Sequence, residues 1–150
     1  MRRVLEAYAR RGVFRSFSQT SSGSRQTEFR FHWLWNLPFH LAFDAGRGAL
    51  SFRKLLPHIP AGSDVDAGLR AFLKSCSSPD RPEHRRIDPA RVAVRYSNRR
   101  GAATLTFQAV GNDFEYAVKK AINLVNEIFL GFLNADHPDY MARHFSIPED

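Results

Sequence analysis

The stretch FRFHWLWNLPFHLAFD, residues 29–44, limits the possible folds more than any other part of the chain. Phe29, Phe31, Trp33 and Trp35 alternate with Arg30, His32 and Leu34. A β-strand points successive side chains to opposite faces, so this period of two predicts a strand with its four rings on one face. Asn36-Leu37-Pro38 interrupts it, because proline has no amide hydrogen to offer a ladder. A second alternation, Phe39, Leu41 and Phe43 against His40, Ala42 and Asp44, predicts a second strand. The turn Ala45-Gly46-Arg47-Gly48 then leads to a third strand through Leu50 and Phe52, completing a meander.

Helices account for much of the remaining chain. Val4, Leu5 and Tyr8 share one face of a first helix, Val4 to Arg11, stopped at Gly12. Ser16 to Gln26 is rich in serine without periodicity and reads as a mobile connection. Leu55 to Pro60 holds two prolines and is too broken for a helix interior. Ser63 followed by Asp66 is a capping pattern that opens a helix over Asp64 to Cys76, with Val65, Leu69, Phe72 and Leu73 at helical spacing. Ser77 to Pro89 reads as a long loop. Val92, Val94 and Tyr96, then Leu105, Phe107 and Ala109, predict a hairpin about the polar turn Asn98 to Gly101. From a cap at Asn112 or Asp113, apolar residues repeat at three and four from Phe114 to Leu133, predicting a long final helix. The tail, His137 to Asp150, has a short amphipathic pattern in which Tyr140, Met141 and Phe145 can dock on that helix.

These elements predict an α+β domain spanning residues 1–150: a single-layer antiparallel sheet covered by helices on one face, in the order α-β-β-β-α-β-β-α. Residues 1–26 form a helix plus linker, and 135–150 a tail. The helices need an apolar sheet face to cover and the aromatic run supplies one. The rings are therefore expected in the core and not on a solvent-facing platform for bases.

At 150 residues and 43% hydrophobic content the chain can build a core without disulfide or metal staples. No apolar run approaches the ~18 residues of a membrane-spanning helix. The single cysteine, Cys76, fits a reducing compartment, so a cytoplasmic location is expected. The Arg- and Ser-rich segment before residue 26 reads as an ordinary first helix and its linker, with an organelle targeting peptide, whose composition it shares, as the alternative. Charge is polarised: up to Gly111 there are 19 Lys/Arg against 8 Asp/Glu, and from Asn112 onward 3 against 7. Eighteen of the 22 cations are arginine, a bias that a GC-rich genome produces by itself.

The sheet face away from the helices is expected to carry Arg30, His32, Leu34, His40, Arg91 and Arg95, a polar and mildly basic surface for a partner. Arg85, Arg86, Arg91, Arg95, Arg99 and Arg100 form the densest basic cluster, where a nucleic acid would set its phosphates. The apolar arc of the final helix is wider than one sheet face covers, so part of it is expected to meet the first helix, the C-terminal tail or a second subunit, and the homodimer expected on this ground places Ile122, Phe129, Leu130 and Leu133 at its interface. His32 and His40 lie on facing strands and can form a polar pair. His137 and His144 are seven residues apart, about 10 Å along a helix, too far to share an ion. There is no glycine-rich phosphate loop, serine elbow or metal-protease pattern. The expectation is a non-enzymatic protein-binding or regulatory module without cofactor, metal or membrane, with nucleic-acid binding as the alternative.

With FRFHWLWNLPFHLAFD as meander and NDFEYAVKKAINLVNEIFLGFLN as closing helix, the element order over Arg2 to Asn134 resembles the type III secretion chaperone-like superfamily, which includes the YbjN family. The resemblance implies a small bacterial homodimer, without catalytic residues or cofactor, that binds an extended segment of a client protein or regulates by contact. Secretion chaperones are typically acidic whereas this chain has a pI of 10.2, so the YbjN branch is the nearer comparison.

Overall fold

The computed structural model describes residues 2–22, 26–111 and 113–145. Helix α1 (Arg2–Arg10) leads into β1 (Arg15–Ser22), β2 (Gln26–Trp33), β3 (Leu37–Asp44) and β4 (Ala49–Leu56). Helix α2 (Asp64–Ser75) and a single 3-10 turn (Glu83–Arg85) precede the hairpin β5 (Val92–Arg99) and β6 (Ala102–Ala109). Helix α3 (Phe114–Glu127) continues as a π-helical segment (Ile128–Leu133), then a turn α4 (Asn134–Asp136) and a helix α5 (Pro138–Phe145). The six strands form one antiparallel sheet in the order β1-β2-β3-β4-β6-β5. This is an α+β fold with four strands, not three, ahead of α2.

Register explains why the sheet has an inside. Phe29 pairs with Leu41, Leu41 with Phe52, Phe52 with Leu105 and Leu105 with Tyr96, a row crossing five strands on one face. Phe31 pairs with Phe39, their rings 5.9 Å apart and nearly parallel. Onto this face α3 and the π-helical segment bring Ala117, Val118, Ala121, Val125, Ile128 and Phe129, all buried. Phe114 meets Phe43 edge-on at 5.3 Å, and Phe129 meets Phe39 at 5.7 Å, so this long element lies along β3. Each buried phenylalanine contributes roughly 1.5–3 kcal/mol from surface removed from water.

Local chemistry sets the element ends. The Ser63 hydroxyl accepts from the Asp66 amide at 3.3 Å and opens α2 as its sequence requires. Arg100 and Gly101 both have positive φ, 54° and 84°, the geometry that a two-residue hairpin turn demands. Gly48, at φ 64°, closes the β3–β4 turn where an added Cβ would meet the Phe114 ring at 3.2 Å.

Several expectations are corrected. Ser16 to Gln26 is not a mobile connection: residues 15–22 are β1, paired along β2, while residues 23–25 lie outside the described residues. Two register irregularities, between Arg15 and Ser18 and between Gln19 and Ser21, hide its periodicity. Phe14 and Phe17, three apart, consequently both pack on the rings of β2, at 4.2 Å from Phe31 and 5.6 Å from Phe29. Trp35 does not join the core row. Leu34, Trp35 and Asn36 all have positive φ, 40°, 53° and 58°, forming a turn that leaves Trp35 42% exposed. Asp113 makes no side-chain bond to cap α3 but pairs with Arg91 instead, and Asn112 lies outside the described residues. The tail helix ends at Phe145, and 146–150 lie outside the described residues.

Candidate functional site

The helices cover one sheet face and leave the other bare. Alternation places Gln26, Glu28, Arg30 and His32 of β2, His40, Ala42 and Asp44 of β3, and Ala49, Ser51 and Arg53 of β4 on it. Ala93, Arg95, Ser97 and Arg99 of β5 and Thr104, Thr106 and Gln108 of β6 complete it. These positions carry no Phe, Tyr or Trp. Small residues meet in the middle: Ala42 pairs with Ser51, Ser51 with Thr106, and Asp44 with Ala49. Longer side chains surround them, so the face sinks into a depression of about 450 Å³ lined among others by Gln26, Arg47, Arg53, Arg95 and Gln108. The Ser51 and Thr106 hydroxyls share a hydrogen bond of 3.0 Å on its floor. At one side Glu28 accepts from Arg53 at 2.9 Å and contacts His40 Nε2 at 2.8 Å.

Of the residues expected to meet a partner, Arg30, His32, His40 and Arg95 stand on this face, and two do not. Leu34 lies in the β2–β3 turn and packs against the core. Arg91 precedes β5, donates to Asp113 at 2.9 Å and stacks over the Tyr116 ring at 3.6 Å. His32 and His40 do not face each other: the register sets His32 opposite Pro38 and His40 opposite Arg30, and His40 takes Glu28 as its partner.

The arginine cluster is divided by its bonds. Arg85 donates to Glu127 at 3.2 Å, joined there by Arg81, and Arg86 donates to the Pro79 and Arg81 carbonyls. Arg81 and Arg85 on Glu127, with Arg91 on Asp113, hold the 79–91 loop against α3, while Arg86 braces the loop internally. Arg95, Arg99 and Arg100 form no ion pair among the described residues. The polarised sequence thus serves partly inside the molecule, the basic loop bonding to the acidic C-terminal third.

The subunit contact expected from the final helix is consumed within the chain. Ile122, Phe129 and Leu133 are buried, and Leu130 alone of that set is exposed, at 47%. The second side of the arc is covered by Phe145 on Phe129 at 5.8 Å and Phe72 on Phe132 at 5.5 Å, with Leu5 and Met141 buried nearby in the same core. Wide apolar arcs signal burial without saying by what.

Asp66 is a buried carboxylate that sequence reading treated only as part of a cap. It accepts from Tyr96 at 2.6 Å, the Gly62 amide at 3.0 Å, Asn98 at 3.2 Å and Arg70 at 3.4 Å. Burial would raise its pKa, but the bonds from Tyr96, Gly62 and Asn98 and the Arg70 charge outweigh that and hold it at about 2. Asn98 also donates to Ile59 O at 2.8 Å, so this knot ties α2, the 59–62 loop and the hairpin together. Both carboxylate oxygens of Asp66 are spent on the fold.

A second depression of about 360 Å³ lies between the 58–60 segment, the start of α2 and α5. His144 stacks on His58 at 4.9 Å, not on His137, whose ring lies against Phe132. Tyr140 donates to Pro57 O at 2.6 Å. Stacked imidazoles aim their nitrogens along parallel planes, and no group of three or more metal-ligating side chains is arranged for an ion among the described residues. Burial, then the charges of His58 and Arg143, lower the His144 pKa. The imidazole is neutral in both states above the ordinary histidine range, and as pH falls below about 6.5 the unfolded chain binds its proton first. Thermal melts at pH 7.5 and 5.5 should therefore lose stability toward acid, and His144→Gln should lose less between the same two conditions. Cys76, buried with its thiol pushed up to about 11 chiefly by burial, is placed as a core residue and not as a nucleophile.

No known family model, no curated protein and no solved structure matches the chain. No helix among the described residues is long and apolar enough to cross a membrane.

Proposed function

We propose that the chain is a non-enzymatic, polypeptide-binding module of the chaperone-like or regulatory kind, cytoplasmic and homodimeric, whose bare sheet face receives its partner. The observation that carries this is a face of the six-stranded sheet left open by the helices, polar, without Phe, Tyr or Trp at its outward positions on β2 to β6, and indented at its centre. Ser51 bonds to Thr106 and not to an imidazole, and His40 is engaged by Glu28, so Ser51 and His40 do not form a nucleophile–base pair. A random-peptide selection on the immobilised chain, followed by histidine modification of the complex, tests the reading. Enriched peptides should shield His32 and His40; enrichment of none, or shielding confined to His58 and His144, would overturn it.

The homodimer in this reading meets through the exposed pair Trp35 and Leu130, since the rest of the expected interface is buried. The Trp35 ring lies 6.5 Å from that of Phe129, the residue preceding Leu130. Tryptophan concentrates binding energy at such contacts. Light scattering on a sizing column at micromolar concentration should give a dimer for the wild type and a monomer for Leu130→Asp.

A nucleic-acid role retains support from Arg95, Arg99 and Arg100. Arg85, Arg86 and Arg91 are engaged in internal bonds, and the outward positions of β2 to β6 carry no Phe, Tyr or Trp on which bases could stack. Oligonucleotide titration at two salt concentrations decides it, because phosphate contacts weaken steeply with salt.

A further inference from the structure

Resting on the polypeptide-binding reading, we propose that the central depression of the bare face is an anion site that takes carboxylate side chains, so that the preferred partner is an acidic, extended polypeptide segment. Charge comes first. The bare face and the turn beside it hold Arg30, Arg47, Arg53, Arg95 and Arg99 against the acids Glu28 and Asp44. Glu28 is already committed to His40 and Arg53, and Arg47 stands 3.9 Å from Asp44. Arg95 holds no ion pair among the described residues and borders the depression directly.

Hydrogen-bond capacity comes second. Register places Arg95 beside Thr106 and Thr106 beside Ser51, so a guanidinium fork and two hydroxyls lie in one row across β5, β6 and β4. One hydroxyl donates to the other at 3.0 Å, leaving the hydrogen of the second to donate to a ligand. Arg53 spends one nitrogen on Glu28 and keeps others. Together these donors suit a carboxylate, which accepts only and pairs bidentately with a guanidinium.

Shape and surroundings favour a polypeptide source for that carboxylate. Ala42, Ala49, Ser51 and Thr106 keep the floor low across three strands, so an extended chain can lie over it and drop alternate side chains inward. Tyr96, at the rim, turns its hydroxyl the other way, to Asp66, and its ring carries the Arg70 guanidinium over it at 4.6 Å.

The test uses fluorescein-labelled peptides of about eight residues, one strand in length, alternating Thr with Glu, Gln or Lys. Anisotropy with the full chain should rank the Glu peptide first. Arg95→Glu should weaken it about tenfold, the scale of one charge-assisted hydrogen bond, and Thr106→Val by a smaller factor. Arg10→Glu, the same charge change on exposed α1, should leave it within about twofold if the effect is local and not a general field. Equal losses for Arg95→Glu and Arg10→Glu, or equal affinity for all three peptides, would overturn the anion site while leaving the polypeptide-binding reading standing. No binding of any peptide overturns both. Displacement of the Glu peptide by a single-stranded oligonucleotide that binds more tightly, with the same Arg95→Glu loss, would assign the site to phosphates instead.

Discussion

Replacing Asp66 with alanine is expected to cost about 3 kcal/mol of stability, the scale of removing one partner from a buried, hydrogen-bonded charge. The substitution orphans the Tyr96 hydroxyl and the Gly62 amide together and removes one of two acceptors from Asn98. In a domain of this size that loss lowers the melting temperature by roughly 6–12 °C. The same carboxylate predicts an acid limb. It is ionised in both states above pH 3.8, so its contribution is complete there. As pH falls from 3.8 toward about 2 the unfolded chain binds the proton first, and about 2 kcal/mol is lost across that window. Urea melts between pH 5 and 2.5 on wild type and Asp66→Asn separate the two contributions. The variant should start lower and fall less steeply over that interval. An Asp66→Ala protein as stable as wild type would remove the knot from the account.

Phe31→Ala is the other large effect. The Phe31 ring is 1% exposed and stacks on Phe14 at 4.2 Å, with Phe17 and Phe39 at 6.1 and 5.9 Å. Truncation leaves a cavity between the first two strands and should cost about 3–5 kcal/mol. In the monomeric Leu130→Asp background, Trp35→Ala, only four residues on, should cost under about 1 kcal/mol because the residue is already 42% exposed. Urea midpoints at unchanged slope measure both. Similar losses at the two positions would mean that Trp35 shares the core, as simple alternation along the strand predicts.

That contrast shows where sequence is informative. Alternation of Phe29, Phe31 and Trp33 was legible because a regular ladder keeps period two. It misleads at Trp35 because three consecutive left-handed residues redirect the chain, and none of them is glycine. Strand β1 was illegible for the opposite reason: bulges let residues three apart share a face, and its serines look like linker. The α2 cap was plain in Ser63 and Asp66, yet the second role of Asp66 depends on Tyr96 and Asn98, some thirty residues away. The bare face was predicted in outline, since helices need only one side of a sheet. Its central depression needs strand order, because β4 meets β6 and not β5. Which arginines remain available for a partner was beyond sequence, because Glu127 and Asp113 had first to be placed beside the 79–91 loop.

The central claim is that the rings of the meander lie beneath the helices, which is what leaves the opposite face polar and open. Tryptophan quenching tests it most directly, because Trp33 is 8% exposed and Trp35 is 42% exposed. In Trp35→Phe, the remaining Trp33 should emit at short wavelength and resist acrylamide. In Trp33→Phe combined with Leu130→Asp, which keeps the chain monomeric, Trp35 should be quenched several times more readily. Trp33 quenched as easily in the native protein as in urea would place the aromatic face in water and contradict the architecture.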